Sequence, residues 1–520
     1  MNNFTNKAWR QYEAGKAHKR RIGLYETIRR NESFYRGDQW QWGEAEGLPK
    51  PVFNIISRVT DFLVCSVASA DMSIRYTDEN MPFGNSEESR STQLLLRTLT
   101  ENAAYRWEKC GMSAKLTALL TDAAISGDGA LYCYWDSNLR GAGNYTGDIV
   151  TDVIDSVNIY PADVNCPDIQ SQEYVILSGR STVTALRREA EENGVSDEDI
   201  RRIVRDDESV FAAGNMARYE LEGEDEEKTT FIIKFWKENG RVCFEKSTRE
   251  CVIKRARTSC RMYPIAFFNW TTVKNSFHGS SPVTYMIPNQ KFINRAYAMA
   301  MKHMTDTAFS KVIYDKSKIP EWSNEVGEAI AAMGGGNVSD AVSVVGTGQM
   351  QSGFMELIDS AVTLTKELMG ATESALGNME ANNTSAILAL QETSRVSLDS
   401  IRNSFYKCIE DLANVWVDMM CAYYPSDRMI PCRAKGEISA RALDMDAMQN
   451  ALLSARVDVA EITRYSSVNA QNMLDKLLDG GHITPSEYIR RLPAGLLMDR
   501  QALIEEIENR IISEEERDGK

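Results

Sequence analysis

The chain has 520 residues, more than one compact core organises, and its 43% hydrophobic and 26% charged content is that of a folded protein rather than a disordered or collagen-like one. Lys and Arg number 59 against 74 Asp and Glu, a formal charge of -15. Gripping nucleic acid requires basic surface that neutralises phosphates, so this balance speaks against a conventional DNA-binding protein. It leaves room for a protein that surrounds DNA without adhering to it. The charge is uneven, basic over the first forty residues and most acidic at 220–227 and in the last fifteen.

None of the ten cysteines has C-x-x-C spacing, so neither a zinc ribbon nor a thioredoxin-like site is signalled. The N-terminal stretch lacks the apolar core of a secretory signal, and the expected compartment is a reducing cytosol with free thiols. The best apolar run, 59–70, is too short to span a bilayer and carries Asp61.

In chain order, residues 17–35 predict a helix with Ile22, Tyr25, Ile28 and Phe34 on its apolar face, ended by the turn Arg36-Gly37-Asp38. Residues 54–68 predict a second, with Ile55, Val59, Phe62, Leu63 and Val67 at three- to four-residue steps and Asn54 as N-cap. A strand follows at 72–76, then helices at 87–108 and 112–125. The turn Gly127-Asp128-Gly129-Ala130 leads into an aromatic strand at 131–135, and 149–160 is a second strand region. Residues 231–237 and 241–245 flank Glu238-Asn239-Gly240 and predict a hairpin. The acidic stretch 220–227 before it is read as a solvated loop, with an acidic docking site as the sharper alternative.

The second half changes character. Residues 289–309 predict a helix of about 30 Å, rich in Ala and Met. A strand (311–314), a short helix (321–333), the flexible Gly334-Gly335-Gly336 and a strand (341–345) come next, followed by a helix at 353–370. Helix, insert and helix can form a stalk with a small cap. Residues 373–383 are a loop. From 385 to 424 an unbroken three- and four-residue periodicity predicts a helix of about forty residues and about 60 Å. Residues 438–513 predict shorter amphipathic helices broken near Gly480-Gly481 and Pro493. The fold class is α+β, predominantly helical.

Catalytic patterns are lacking. His18, His278, His303 and His482 stand in no metal motif, and no nucleophile elbow, P-loop or kinase loop occurs. Asp122 and Asp128 bracket a helix-to-strand turn, where turn chemistry is the plainer explanation than a metal pair. With Asp163 they are the first candidates for a metal-dependent nuclease assembled only by the fold. The aromatic run 34–42 could stack on bases, but has only Arg36 as a basic neighbour, and helix-end packing explains it better.

Several landmarks, taken in order, resemble the portal proteins of tailed phages, most closely those of phages and prophages of Gram-positive bacteria. They are Phe34-Tyr35-Arg36-Gly37-Asp38-Gln39-Trp40, the stretch from Pro51 to Val59, and the Gly127-Asp128-Gly129 turn. After these come His278-Gly279-Ser280-Ser281-Pro282, Pro288-Asn289-Gln290 with Asn294, Ala375-Leu376-Gly377-Asn378, and the stretch from Asn382 to Ile387.

The resemblance implies the portal fold: a wing (1–260), a stem helix with its lead-in (261–310), a clip (311–351), a second stem helix (352–372), a tunnel loop (373–384), a long wing helix (385–424) and a helical C-terminal crown (425–520). It implies a ring, twelve copies in this family, at one capsid vertex of the virion, assembled in the host cytoplasm. Double-stranded DNA passes through it during packaging and ejection. Its other partners would be the terminase large subunit, a head-completion adaptor, and the major capsid and scaffolding proteins, with no membrane, enzyme activity, metal or cofactor. Asn378, Met379, Glu380, Ala381, Asn382 and Asn383 would form the loop facing DNA. Lys291, Arg295 and Lys302 on the stem either face outward or guide phosphates weakly. The alternative is a helical structural or scaffold protein of the virion that conducts no DNA.

Overall fold

Gly23, at φ 67°, splits the first amphipathic run, so two helices stand where one was expected: α1 (Lys7–Arg21) and α2 (Leu24–Arg36). The computed structural model describes residues 6–40, 47–68, 71–80, 87–140, 146–206, 227–308, 312–323, 330–344, 353–371, 398–426, 428–434, 437–460, 464–492, 503–504 and 507. Next come α3 (Ile55–Ala68), β1 (Asp71–Asp78), α4 (Glu87–Lys109) and α5 (Met112–Ser126). Asn54 caps α3 as its sequence position suggests, its Oδ1 accepting from Ser57 N at 3.1 Å.

The expected strand region at 149–160 divides between two sheets. β2 (Asp128–Arg140) and β3 (Thr146–Ile154) form one antiparallel ladder. Asp155 then caps a single 3-10 turn, which redirects the chain into β4 (Ile159–Pro161). β5 (Tyr174–Thr182), α6 (Val183–Glu192), α7 (Asp197–Ile200), β6 (Lys228–Glu238), β7 (Arg241–Ser247), β8 (Val252–Arg257) and β9 (Ile265–Asn269) follow. The sheets are β3-β2-β9 and β4-β5-β6-β7-β8. The hairpin turn between β6 and β7 places both Asn239 (φ 50°) and Gly240 (φ 72°) in the left-handed region, as a two-residue type I′ turn requires. The acidic stretch 220–226 lies outside the described residues.

α8 (Pro282–Ala308) begins seven residues before the expected start at 289. Proline at its first position suits a helix start, and Ser281 Oγ accepts from Val283 N. Pro288 is carried inside the helix, tolerated there because tertiary packing outweighs one missing hydrogen bond. β10 (Val312–Tyr314) and β11 (Val342–Val344) pair antiparallel, and α9 (Gly353–Leu368) packs on α8. The helix expected at 321–333 is not formed by its described ends, 321–323 and 330–333, which are extended or irregular. The chain at 330–333 runs beside the turn after β10 instead, Met333 N donating to Lys318 O at 2.7 Å.

α10 (Asp399–Tyr423) is the described part of the long helix; 385–397 lies outside the described residues. The C-terminal expectation of helices from 438 onward needs the largest correction. β12 (Met429–Ala434) and β13 (Glu437–Ala442) form a hairpin, α11 (Met445–Asn450) is one short helix, and β14 (Leu453–Ala460) pairs antiparallel with β1 across nearly the whole chain. Helices return with α12 (Arg464–Asp479) and α13 (Pro485–Arg491). Leu453, Ala455, Val457 and Val459 alternate with polar residues, so the period is two; pairing with β1 overrides the helix propensity of the Leu and Ala around them. The outward amides of β14 are met by α10, Asn414 Oδ1 accepting from Ala455 N and Glu410 Oε1 from Val457 N, while Thr100 Oγ1 accepts from Tyr76 N on β1. This short sheet therefore offers few open groups to a foreign strand. One core unites α3–α5, β1–β3, β9, the start of α8, α10, β12 and β14.

Candidate functional site: the two-helix unit and its anchorage

Three segments, the end of α2, the start of α3 and, 235 residues further on, α8, close on one amide cluster. α2 ends on Gly37 (φ 90°), with Asp38 N donating to Ser33 O, and this turn brings Gln39 inward. Gln39 Nε2 donates to Phe34 O and to Asn54 Oδ1, and Asn54 Nδ2 donates to Tyr35 O. On α8, Gln290 Oε1 accepts from Ile55 N, while its Nε2 donates to Phe53 O and Asn294 Oδ1. Asn294 Nδ2 closes the ring on Gln39 Oε1 at 2.7 Å. Gln39, Gln290 and Asn294 are all buried, and a primary amide supplies both donors and acceptors, so each satisfies the next. The cluster fastens α8 to the ends of α2 and α3.

A second joint lies just upstream. Gly127 and Gly279 meet backbone to backbone: a Cβ on Gly127 would stand 2.8 Å from Gly279 O, and one on Gly279 2.7 Å from Gly127 O. Only glycine permits this approach. Asp128 beside them is buried, its Oδ1 accepting from Asn269 Nδ2 and Gly279 N and its Oδ2 facing His278 Nδ1 at 2.6 Å. Burial lowers the pKa of His278, against the pull of Asp128. Ser281 Oγ donates to Ala124 O, and Asn31 Nδ2 to Ile125 O and Thr284 Oγ1. Thus the lead-in to α8 is bolted to α5, β2 and α2.

These contacts decide how the candidate nuclease carboxylates are used. Asp128 spends its oxygens on the joint. Asp163 accepts from the amide of Asn165 in its own loop, and Asp122 is exposed on α5. Among the described residues, no group of three or more His, Cys, Asp or Glu is placed to hold a metal ion. The aromatic run at 34–40 packs: Phe34 is fully buried and Trp40 Nε1 donates to Pro51 O.

Beyond the anchorage, α8 and α9 are apolar yet exposed. Tyr285, Phe292 and Met299, seven residues apart, form one exposed stripe on α8, and Met301 and Met304 are exposed on another face of it. On α9 only Ile358 and Thr365 are buried, whereas Met355, Leu357, Leu364 and Leu368 are exposed, Leu368 to 73%. Lys291 lies with its Nζ 5.6 Å from the Phe34 ring, turned toward α2. Arg295 is exposed, and Lys302 pairs with Asp306 one turn on at 3.4 Å. In the insert, Tyr314 stacks on Trp322 and Ile319 is buried, while Gly334, Gly335 and Gly336 all have positive φ. The six candidate loop residues 378–383 lie outside the described residues.

In the sequence Gln39, Asn54, Gln290 and Asn294 stand in separate landmarks that only the fold joins. The available signal was two amides, Gln290 and Asn294, four residues apart on an otherwise apolar helix face. Among the described residues, no helix is long and apolar enough to cross a membrane.

Residues 197–451 match the family model described as Phage P22-like portal protein, a stretch that runs from α7 to the end of α11 and includes α8, the insert, α9 and α10. No curated protein matches the chain. The matched family is one of structural rather than catalytic proteins, and its stretch contains the two-helix unit whose anchorage is described above: over these residues the chain is similar to the phage portal proteins.

Proposed function

We propose that the chain assembles into a ring at one capsid vertex and that the ring is the passage for double-stranded DNA during packaging and ejection. In this reading α8 and α9 are the stem, the insert between them is the clip, and residues 1–260 with α10 are the wing. Residues 378–383 are the loop that meets DNA. The terminase large subunit and the head-completion adaptor dock at the clip, and the capsid and scaffolding proteins surround the wing. Lys291 and Lys302 are engaged within their own chain, which leaves Arg295 as the stem cation best able to guide phosphates.

The observation that carries this reading is the pairing of a rigid anchorage with uncovered apolar helices. A helix as apolar as α9 with two buried residues is stable in water only when another surface covers it. Identical copies arranged in a ring provide such a surface without leaving an end open. The acidic total fits passage: a wall of like charge repels the polyanion and favours sliding.

Negative-stain images of the purified chain test the ring, with a closed annulus and a hole wide enough for a duplex as the expected result. Deleting residues 378–383 tests the passage: annuli should persist while packaging stops. A strictly monomeric protein at high concentration, or full packaging by the deletion variant, overturns the corresponding half of the proposal.

A further inference from the structure

Within a chain of net charge -15, residues 228–261 carry ten Lys or Arg against three Glu. They build β6, β7 and β8. The ladder places Lys234, Glu245 and Arg255 side by side across the three strands, with Trp236, Cys243 and Arg257 in the next row and Tyr174 beside Trp236. One end of this sheet face is covered by α1, where Trp9 and Tyr12 pack on Ile176 and Ile232. Toward its other edge the face opens: Lys234, Trp236 and Glu245 are half-buried, and β8 ends the sheet with Lys254, Arg255 and Arg257 exposed.

The aromatic rings here serve as rests for the cations. Lys234 Nζ lies 4.9 Å from the Tyr174 ring centroid and 5.5 Å from that of Trp236, and Arg255 lies 5.3 Å from the latter. Trp236 is fixed in turn, its Nε1 donating to Glu238 Oε1 at 2.7 Å. Burial lowers the pKa of Lys234, and Lys7 and Arg255 push the same way against Glu245 and Glu173. Cations are thus gathered and held upright where an anion would relieve their repulsion.

We infer that this face and the β8 edge bind the phosphate backbone of double-stranded DNA, through Lys234, Lys254, Arg255 and Arg257, away from the two-helix stem. Charge complementarity selects a polyanion. Rings already occupied by cations cannot stack on unpaired bases, which selects a duplex over a single strand. Same-face residues such as Arg255 and Arg257 lie about 6.7 Å apart along a strand, a step comparable with that between successive phosphates. Glu238 and Glu245 on the same face keep the grip weak, as suits a protein that must release DNA. Naming DNA as the occupant rests on the conduit reading; the patch does not.

The test uses the full chain in whatever assembly it forms, with a fluorescent 30-base-pair duplex titrated at rising salt. Engagement of about three phosphates gives a log K against log salt slope of about -2.7. The K254Q/R255Q/R257Q variant should bind at least tenfold more weakly at low salt, with the slope flattened by about two. A control, K50Q/R97Q/R188Q, removes equal charge elsewhere and should keep both affinity and slope. The inference fails if the patch variant binds like the unmodified chain, since its cations then serve only to keep a sheet edge from pairing. It fails equally if the control loses as much. Tighter binding of poly-glutamate than of duplex at equal charge makes an acidic protein the occupant and overturns the assignment to DNA. Patch-dependent binding without annuli sustains this site and sinks the conduit; annuli without patch-dependent binding do the reverse.

Discussion

At the scale of single residues, the amide ring of Gln39, Asn54, Gln290 and Asn294 shows how polar groups can specify a joint that apolar packing leaves loose. Gln39, Gln290 and Asn294 are buried, Asn54 is half-buried, and each is satisfied by the others or by backbone. Removing one orphans its neighbours, at about 1–3 kcal/mol for a buried group left unpaired. Asn294→Ala should therefore lower stability by about 2 kcal/mol, seen as a lower urea midpoint with unchanged m-value. Asn294→Asp should not rescue it, because Gln39 Oε1 then faces a carboxylate instead of a donor. If Asn294→Ala leaves the midpoint unmoved, the ring is not what holds α8. Asp128 teaches the same lesson about charge: the carboxylate at this turn is a bracket between His278, Asn269 and Gly279.

At the scale of elements, α8 and α9 combine a fixed root with an uncovered shaft. The root spans Pro282 to Asn294, while Met299, Met301 and Met304 beyond it are exposed. Methionine suits a contact that must adapt, being unbranched and polarizable. Phe292→Glu combined with Leu364→Glu changes two exposed side chains, so the stability of the isolated subunit should shift by no more than about 0.5 kcal/mol per site. Self-association should nevertheless be lost, by sedimentation velocity. Unchanged association would mean that copies meet through some other surface. The joint at Gly127 and Gly279 belongs to this scale too, since it sets where the shaft leaves the body.

At the scale of the whole molecule, one buried ionic network ties the two halves of the chain. Arg106 on α4 and Lys109 hold Asp148 on β3 by ion pairs, and Tyr424, just after α10, donates to Asp148 while accepting from Arg106. Arg428 joins through Gly147 O and the rings of Trp135 and Tyr424. Burial alone raises the carboxyl's pKa, but Arg106, Lys109 and Tyr424 outweigh it and hold the group well below the usual carboxylate range. A carboxyl lowered in the folded state adds stability that is complete above its unfolded pKa of about 3.9 and is lost as pH falls toward the folded value. Asp148→Asn should thus cost about 3 kcal/mol at neutral pH, because Arg106 stays buried without its counter-charge. The stability difference between the two proteins should shrink as the pH is lowered below about 4. A difference independent of pH would show that the carboxylate's charge is not what the network uses.

Local residue patterns suffice for the periodic elements and most of the turns: α3, α4, α5, the β6–β7 hairpin and the helix–insert–helix order of the second half. Local spacing and turn chemistry dictate these, and nothing distant opposes them. The sequence also held every landmark residue of the two joints, though not their meeting. Long-range contacts are what place β12 and β14 as strands of the N-terminal core, start α8 at Pro282 and carry it through Pro288, and close the four amides into one ring. Those outcomes depend on partners hundreds of residues away, β1 for β14 and the α2–α3 turn for α8. Pairing and burial energy supplied by a distant partner leaves no local period in the sequence.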